Sequence, residues 1–97
     1  MYVDPVLSNY IVQLVQATRQ HEDVELGASP RATRGLYRCS QAVAAIKGRD
    51  FVGPDDVKLL APFALPHRII VKSQARLRQR SAEDVVSDVL SQVEVPV

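Results

Sequence analysis

The sequence predicts a small all-α domain, a four-helix bundle with a short extended or strand segment near 67–72. Three observations carry this expectation. Apolar residues recur at helical spacing in four separate stretches, three of which open on a proline and the fourth on a Ser-x-x-Asp box. Hydrophobic residues make up 46% of the 97-residue chain, which describes a globular domain rather than a disordered one. With three tyrosines, two phenylalanines and no tryptophan, the core must be built from Leu, Val, Ile and Ala.

Asp4-Pro5 is a cap followed by a first-turn proline, and Leu7, Tyr10, Ile11, Leu14, Val15 and Thr18 follow on one face, so helix one runs over roughly 4–20. Met1 and Tyr2 read as a chosen start with no room for an upstream element, and the chain is expected to be a fragment of a longer one. From Arg19 to Gly27 the periodicity lapses. That stretch predicts a loop pinned to the core by Val24 and Leu26.

Ser29-Pro30 then opens helix two, roughly 30–47, with Ser29 as the cap and Gly48 as the stop. Its predicted apolar stripe is Ala32, Leu36, Cys39, Val43 and Ile46, which makes Cys39 a buried packing residue. Gly35 falls mid-helix, where it costs about 0.5–1 kcal/mol relative to alanine. Either another part of the chain approaches the backbone closely there, or the cost is tolerated. Arg31, Arg34 and Arg38 succeed one another along a different face. Arg31 sits in the first turn, where the macrodipole favours negative charge by about 0.3–1 kcal/mol, so it is either a solvated arginine or one that meets an external anion. Free N–H groups and a guanidinium fork at a helix start suit a phosphate.

Gly53-Pro54-Asp55-Asp56 starts helix three, with Val52 and Val57 spaced as a hydrophobic staple and both acids accounted for by the helix N-terminus. It buries Val57, Leu60, Ala61 and Ala64 or Leu65 and stops before Pro66. Ile69-Ile70-Val71 is the short extended or strand segment. Arg68, Lys72, Arg76, Arg78 and Arg80 then form an acid-free basic linker, and the acidic stretch Glu83, Asp84, Asp88 and Glu94 is expected to neutralise it. Ser81-Ala82-Glu83-Asp84 caps helix four, whose stripe is Val85, Val86, Val89, Leu90 and Val93 and which Pro96 ends.

Several classes of chemistry have no residues to perform them. A net charge of +1 gives no global field for nucleic acid or a membrane, and there is no apolar run long enough to span a bilayer, so a cytoplasmic protein is expected. One cysteine excludes an internal disulfide, and with only His21 and His67 beside it no metal-ligand set is spaced out in the chain. Neither a glycine-rich phosphate loop nor a nucleophile with a neighbouring base is present. What remains is a helical domain with one anion-binding corner and no catalytic residues.

Four motifs in this order and spacing, Gly27-Ala28-Ser29-Pro30-Arg31-Ala32, Gly48-Arg49-Asp50-Phe51-Val52, Pro54-Asp55-Asp56-Val57 and His67-Arg68-Ile69, resemble the C-terminal lid subdomain of MoxR-type AAA+ ATPases. Thr18-Arg19 fits the same pattern, and the likeness extends over residues 3–95. Arg34-Gly35 and Pro66 depart from it. The magnesium-chelatase ATPase subunit has a related lid. The resemblance implies a helical lid behind an α/β ATPase core, with Arg31 as the sensor-2 arginine that reaches the ATP γ-phosphate and Ser29, Pro30 and Arg34 supporting it. It implies ATP and Mg2+ as cofactors of the full-length ATPase, and no catalysis or ligand binding by this fragment alone, since Walker A and Walker B lie outside it. Implied partners are the AAA+ core of its own chain, neighbouring subunits of a ring, and von Willebrand factor A domain proteins, in chaperone-like remodelling or metalloenzyme maturation. The alternatives are a helical nucleic-acid-binding module, which would present Arg31, Arg34 and Arg38 to a groove, and a protein-interaction module.

Overall fold

The computed structural model describes residues 2–96, and the start at Met1 lies outside them. Within this range the chain forms α1 (Pro5–Gln20), β1 (Val24–Leu26), α2 (Pro30–Ile46), α3 (Pro54–Ala64), a 3-10 turn (Pro66–Arg68), β2 (Ile70–Val71), α4 (Ser73–Leu77) and α5 (Ala82–Gln92). The all-α class holds, and the strand segment falls where it was expected. Two features depart from the four-helix expectation. The basic linker contains the short helix α4, and the loop after α1 contributes β1, which pairs antiparallel with β2 through Val24 opposite Val71 and Leu26 opposite Ile70. Only Val24 of the two expected pins is buried: in a regular strand Leu26 would share its face, but the register shifts between them and sets Leu26 opposite exposed Ile70.

Local signals explain where the long helices begin. The Asp4 carboxylate accepts from the Val6 N–H at 2.9 Å. Ser81 and Asp84 form a reciprocal box, with Asp84 Oδ2 accepting from the Ser81 N–H at 2.9 Å and Ser81 Oγ from the Asp84 N–H at 3.2 Å. Buried Val52 and Val57 flank the Gly53 cap as a staple. At the other end, α5 stops at Gln92, four residues short of Pro96, because Val93 turns extended. Pro66 starts the 3-10 turn that redirects the chain from α3 into β2.

α1 lies at the centre of the core, burying Leu7, Tyr10, Ile11, Leu14 and Val15 against α2 and α5. The buried stripe of α2 is not the one its apolar residues predict. It runs through Ala32, Leu36, Ser40 and Ala44, while Cys39 and Ile46 are exposed. Hydrophobicity alone misses this because Ser40 is polar, yet its hydroxyl is satisfied within the helix by donating to the Leu36 carbonyl at 2.7 Å. Ala32, Ser40 and Ala44 keep this stripe small around Leu36, and α3 packs closely along α2.

Two helices end the same way and place an arginine in the same role. Gly48 (φ 79°) and Gln79 (φ 64°) both adopt left-handed backbone, and the next residue's N–H closes back on the helix, Arg49 to Ala44 O at 2.9 Å and Arg80 to Ala75 O at 3.0 Å. Each of these arginines then meets a buried acid. Arg49 pairs with Asp56, which is 0% exposed and also accepts from the Gly53 N–H at 2.8 Å. Asp56 is thus the first-turn acid expected at the start of α3 and, in addition, fully buried against Arg49. Arg80 pairs with Asp23 at 3.2 Å and with Asp88, and Arg78 reaches Asp23 at 3.1 Å. His21 completes this second network, donating from Nε2 to Asp88 at 2.9 Å while Nδ1 accepts the Asp23 N–H at 3.0 Å. The basic and acidic stretches thus neutralise each other only at Arg80 and Asp88. Asp23 takes the rest, and among the described residues Arg68, Lys72 and Arg76 find no carboxylate within ion-pair distance.

Arg49→Ala should lower unfolding free energy by about 3 kcal/mol in urea denaturation, because it strips the main counter-charge from a fully buried carboxylate. Hydrogen bonding to His21, then to Arg80, holds the Asp88 carboxyl below its ordinary range. A depressed acid stabilises the fold above the ordinary value of about 3.9, and that contribution is lost as pH falls through the lowered one. Asp88→Asn should therefore flatten the acid limb of the stability profile below about pH 4 and lower stability at neutral pH.

Candidate functional site

The start of α2 is set by the end of α1. Thr18 is buried, and its hydroxyl donates to the Val15 carbonyl at 2.6 Å while accepting the Ala28 N–H at 3.1 Å. Arg19 Nε donates to the Ala28 carbonyl at 2.8 Å. Both backbone groups of Ala28 are thereby held by consecutive residues of α1. Gly27 permits the approach, since a Cβ there would stand 2.6 Å from Arg19 Cα. Thr18 and Arg19, which the motif pattern includes without a role, anchor the segment that leads into α2.

Ser29 occupies the cap position with extended backbone, and Pro30 is the first helical residue, as expected. The Ser29 hydroxyl, however, makes no capping bond. The amide it would accept from, that of Ala32, bonds to the Ser29 carbonyl at 2.9 Å instead. The first turn of α2 carries no acid, so its end keeps an uncompensated positive field together with an uncommitted hydroxyl. Arg31 stands exposed in that turn.

Arg31, Arg34, Gly35 and Arg38 line one depression of about 410 Å³ on the exposed side of α2, half a turn from the buried stripe. A fourth guanidinium joins them from another element. A Cβ on Gly35 would lie 3.8 Å from Arg68 Nη2, an ordinary contact, so an alanine would fit and the glycine is not forced by a close backbone approach. Arg68 lines a neighbouring cleft of about 580 Å³ with Arg19, Glu25, Leu26, Gly27, Ala28 and Ser29, a cleft that holds one acid. Among the described residues none of Arg31, Arg34, Arg38 and Arg68 has a hydrogen-bonding or ion-pair partner. Sequence reasoning assigned Arg68 to a neutralised linker, and the one signal that could have placed it here is the glycine it lies against. His67 is exposed, His21 is committed to Asp23 and Asp88, and among the described residues no three His, Cys, Asp or Glu side chains cluster as a metal site.

A family model described as the AAA lid domain matches residues 16–89 of this chain. The chain belongs to the AAA lid domain family. This lid domain is 46% identical over 94 residues to the uncharacterized protein YeaC of Bacillus subtilis, an alignment covering 97% of the lid domain and 29% of YeaC. It is 36% identical over 104 residues to the chaperone MoxR1 of Mycobacterium tuberculosis, covering 98% of the lid domain and 28% of that protein. A crystal structure from Cytophaga hutchinsonii, of a protein described as an ATPase, superposes with a TM-score of 0.92 at 32% identity, covering 98% of the lid domain and 32% of that chain. The lid domain thus spans about three tenths of the length of these relatives. The likeness to MoxR-type lids read from the four motifs holds. No helix among the described residues is long and apolar enough to cross a membrane.

Gly27→Ala should cost about 1–3 kcal/mol in chemical denaturation, since the added methyl group meets backbone that cannot rotate away. The same variant should speed hydrogen exchange at the Ala28 amide, whose acceptor Thr18 would be pushed out of register.

Proposed function

We propose that this lid senses the ATP γ-phosphate through Arg31 and passes hydrolysis on as a rigid-body movement, within a longer MoxR-type ATPase that acts as a cytoplasmic chaperone-like machine. The observation that carries this reading is the exposed, unpartnered Arg31 in a helix turn that holds no acid and whose capping hydroxyl is uncommitted. Guanidinium, hydroxyl and helix field form a donor set that fits a phosphate. The same set offers no carboxylate, so Mg2+ would be held by the ATPase core and not by the lid. Bound there, ATP supplies the phosphoryl chemistry.

The chain's own residues bind and release. With the γ-phosphate in place, Arg31 ties the start of α2 to the core. Loss of that charge removes the difference in affinity that favours the closed arrangement, and the lid is free to turn. The Thr18–Ala28 and Arg19–Ala28 bonds make α2 move with α1, so the turn reaches the whole domain. On this reading the lid acts on turnover through Arg31. Neighbouring subunits of a ring receive the movement, and von Willebrand factor A domain proteins and immature metalloenzymes are the client classes that go with this reading.

In the longer ATPase, Arg31→Ala should reduce ATP turnover on the order of 10³-fold, the scale of an arginine that stabilises phosphoryl charge, with an unchanged melting curve. Arg31→Lys should recover only part of the loss, because an ammonium cannot reproduce the bidentate fork. Unchanged turnover in Arg31→Ala would leave a protein-interaction module without a phosphate role.

A further inference from the structure

One phosphate cannot use the whole basic face. Arg31 and Arg38 are about 10 Å apart along the α2 axis. A terminal phosphate has three free oxygens, of which a single guanidinium fork takes two. If Arg31 engages the γ-phosphate, one oxygen is left, too few for Arg34, Arg38 and Arg68 together. They are equally unused by the fold. Elsewhere in the described residues Arg49, Arg78 and Arg80 each meet a carboxylate and Arg19 a carbonyl, whereas these three find none, as does Arg76 on α4. Arg34 and Arg38 lie one turn apart on the same face, a spacing at which like charges disfavour the helix, and Arg68 comes across to join them over Gly35.

We propose that Arg34, Arg38 and Arg68 form a carboxylate latch, a seat floored by Gly35 that closes on acidic side chains of the protein surface carrying the nucleotide. The proposal rests on the reading of Arg31 as the phosphate sensor and assigns the rest of that face to protein. Charge complementarity selects the occupant. Arg34 and Arg38 line the depression of about 410 Å³ and Arg68 Nη2 lies beside Gly35, so guanidinium forks from two elements offer the paired donors and the sign that carboxylates complement, and the absent side chain at Gly35 leaves room for one to enter. The latch acts by holding the closed lid and not by touching the reacting atoms, so Arg34, Arg38 and Arg68 are positioning residues. Their loss weakens nucleotide retention while the chemistry at Arg31 stays intact.

The experiment measures the Kd of a fluorescent, non-hydrolysable ATP analogue on the longer ATPase chain between 50 mM and 500 mM NaCl, with turnover at saturating ATP alongside. Arg38→Glu combined with Arg68→Glu should weaken analogue binding tenfold or more at low salt and flatten its salt dependence, while turnover at saturation falls less than threefold. Gly35→Leu fills the seat without changing a charge and favours the helix, so it should weaken binding in the same direction with the melting temperature kept or raised. Should the charge reversal disturb folding, Arg38→Gln with Arg68→Gln gives the same comparison with milder changes.

Affinity and salt dependence equal to wild type in these variants, with Arg31→Ala still abolishing turnover, would overturn the latch and leave the sensor standing. Unchanged turnover in Arg31→Ala would instead remove the reading on which the latch rests. If an oligonucleotide binds the wild-type chain with a salt slope of three or more charges, and Arg38→Glu with Arg68→Glu abolishes that binding, the face is a nucleic-acid surface and the carboxylate latch is wrong.

Discussion

The structure depends on a contact of two backbones. Gly27 lies so close to Arg19 that no Cβ could stand between them, and the adjoining residue, Ala28, has its N–H on Thr18 and its carbonyl on Arg19. Everything that follows in α2 inherits its position from this junction. A helix start held only by its own cap could fray or pivot. Held by two consecutive residues of the most deeply buried helix, it becomes part of the same rigid unit. That rigidity ties the first turn of α2, where Arg31 stands, to α1.

Ion pairing divides the molecule in two. Buried Asp56 and Asp23 each meet an arginine delivered by a left-handed residue just past a helix end, and His21 and Asp88 extend the second network across α1 and α5. These pairs are partly or wholly shielded, where removing one partner is costly, and they brace the connections between helices. On α2 the opposite holds. Its arginines face water with no partner among the described residues, an arrangement that adds nothing to the stability of an isolated domain. In a chain of net charge +1 that pairs its inner charges, the row on α2 carries unmatched positive charge on one face.

Much of the fold is legible in the sequence because the signals are local. Asp4-Pro5, Ser29-Pro30, Gly53-Pro54 and the Ser81 box mark helix starts through groups within three residues of one another, and Gly48 marks a stop by its own φ. The α1 and α5 stripes are legible too, since one face of each meets the core. α2 is not, because a helix packed on two neighbours can bury a serine that bonds its own turn and leave a cysteine and an isoleucine exposed. Of the ribbon, β2 is legible and β1, with the pairing itself, is not, for another reason. Two short strands some 45 residues apart carry no period long enough to detect and are defined only by each other.

By itself, then, the sequence determined the helical class, most helix boundaries and, through four spaced motifs, the lid family. These follow from rotamer, cap and backbone preferences acting over a few residues, or from a pattern of residue types. Only the tertiary structure decided that Thr18 and Arg19 hold the α2 entrance, that Asp56 is a buried ion, that Cys39 is exposed, and that Arg68 leaves its own segment to stand over Gly35. Each joins groups brought together by packing and not by the chain, and the free energy of such a contact depends on distances that no local preference specifies.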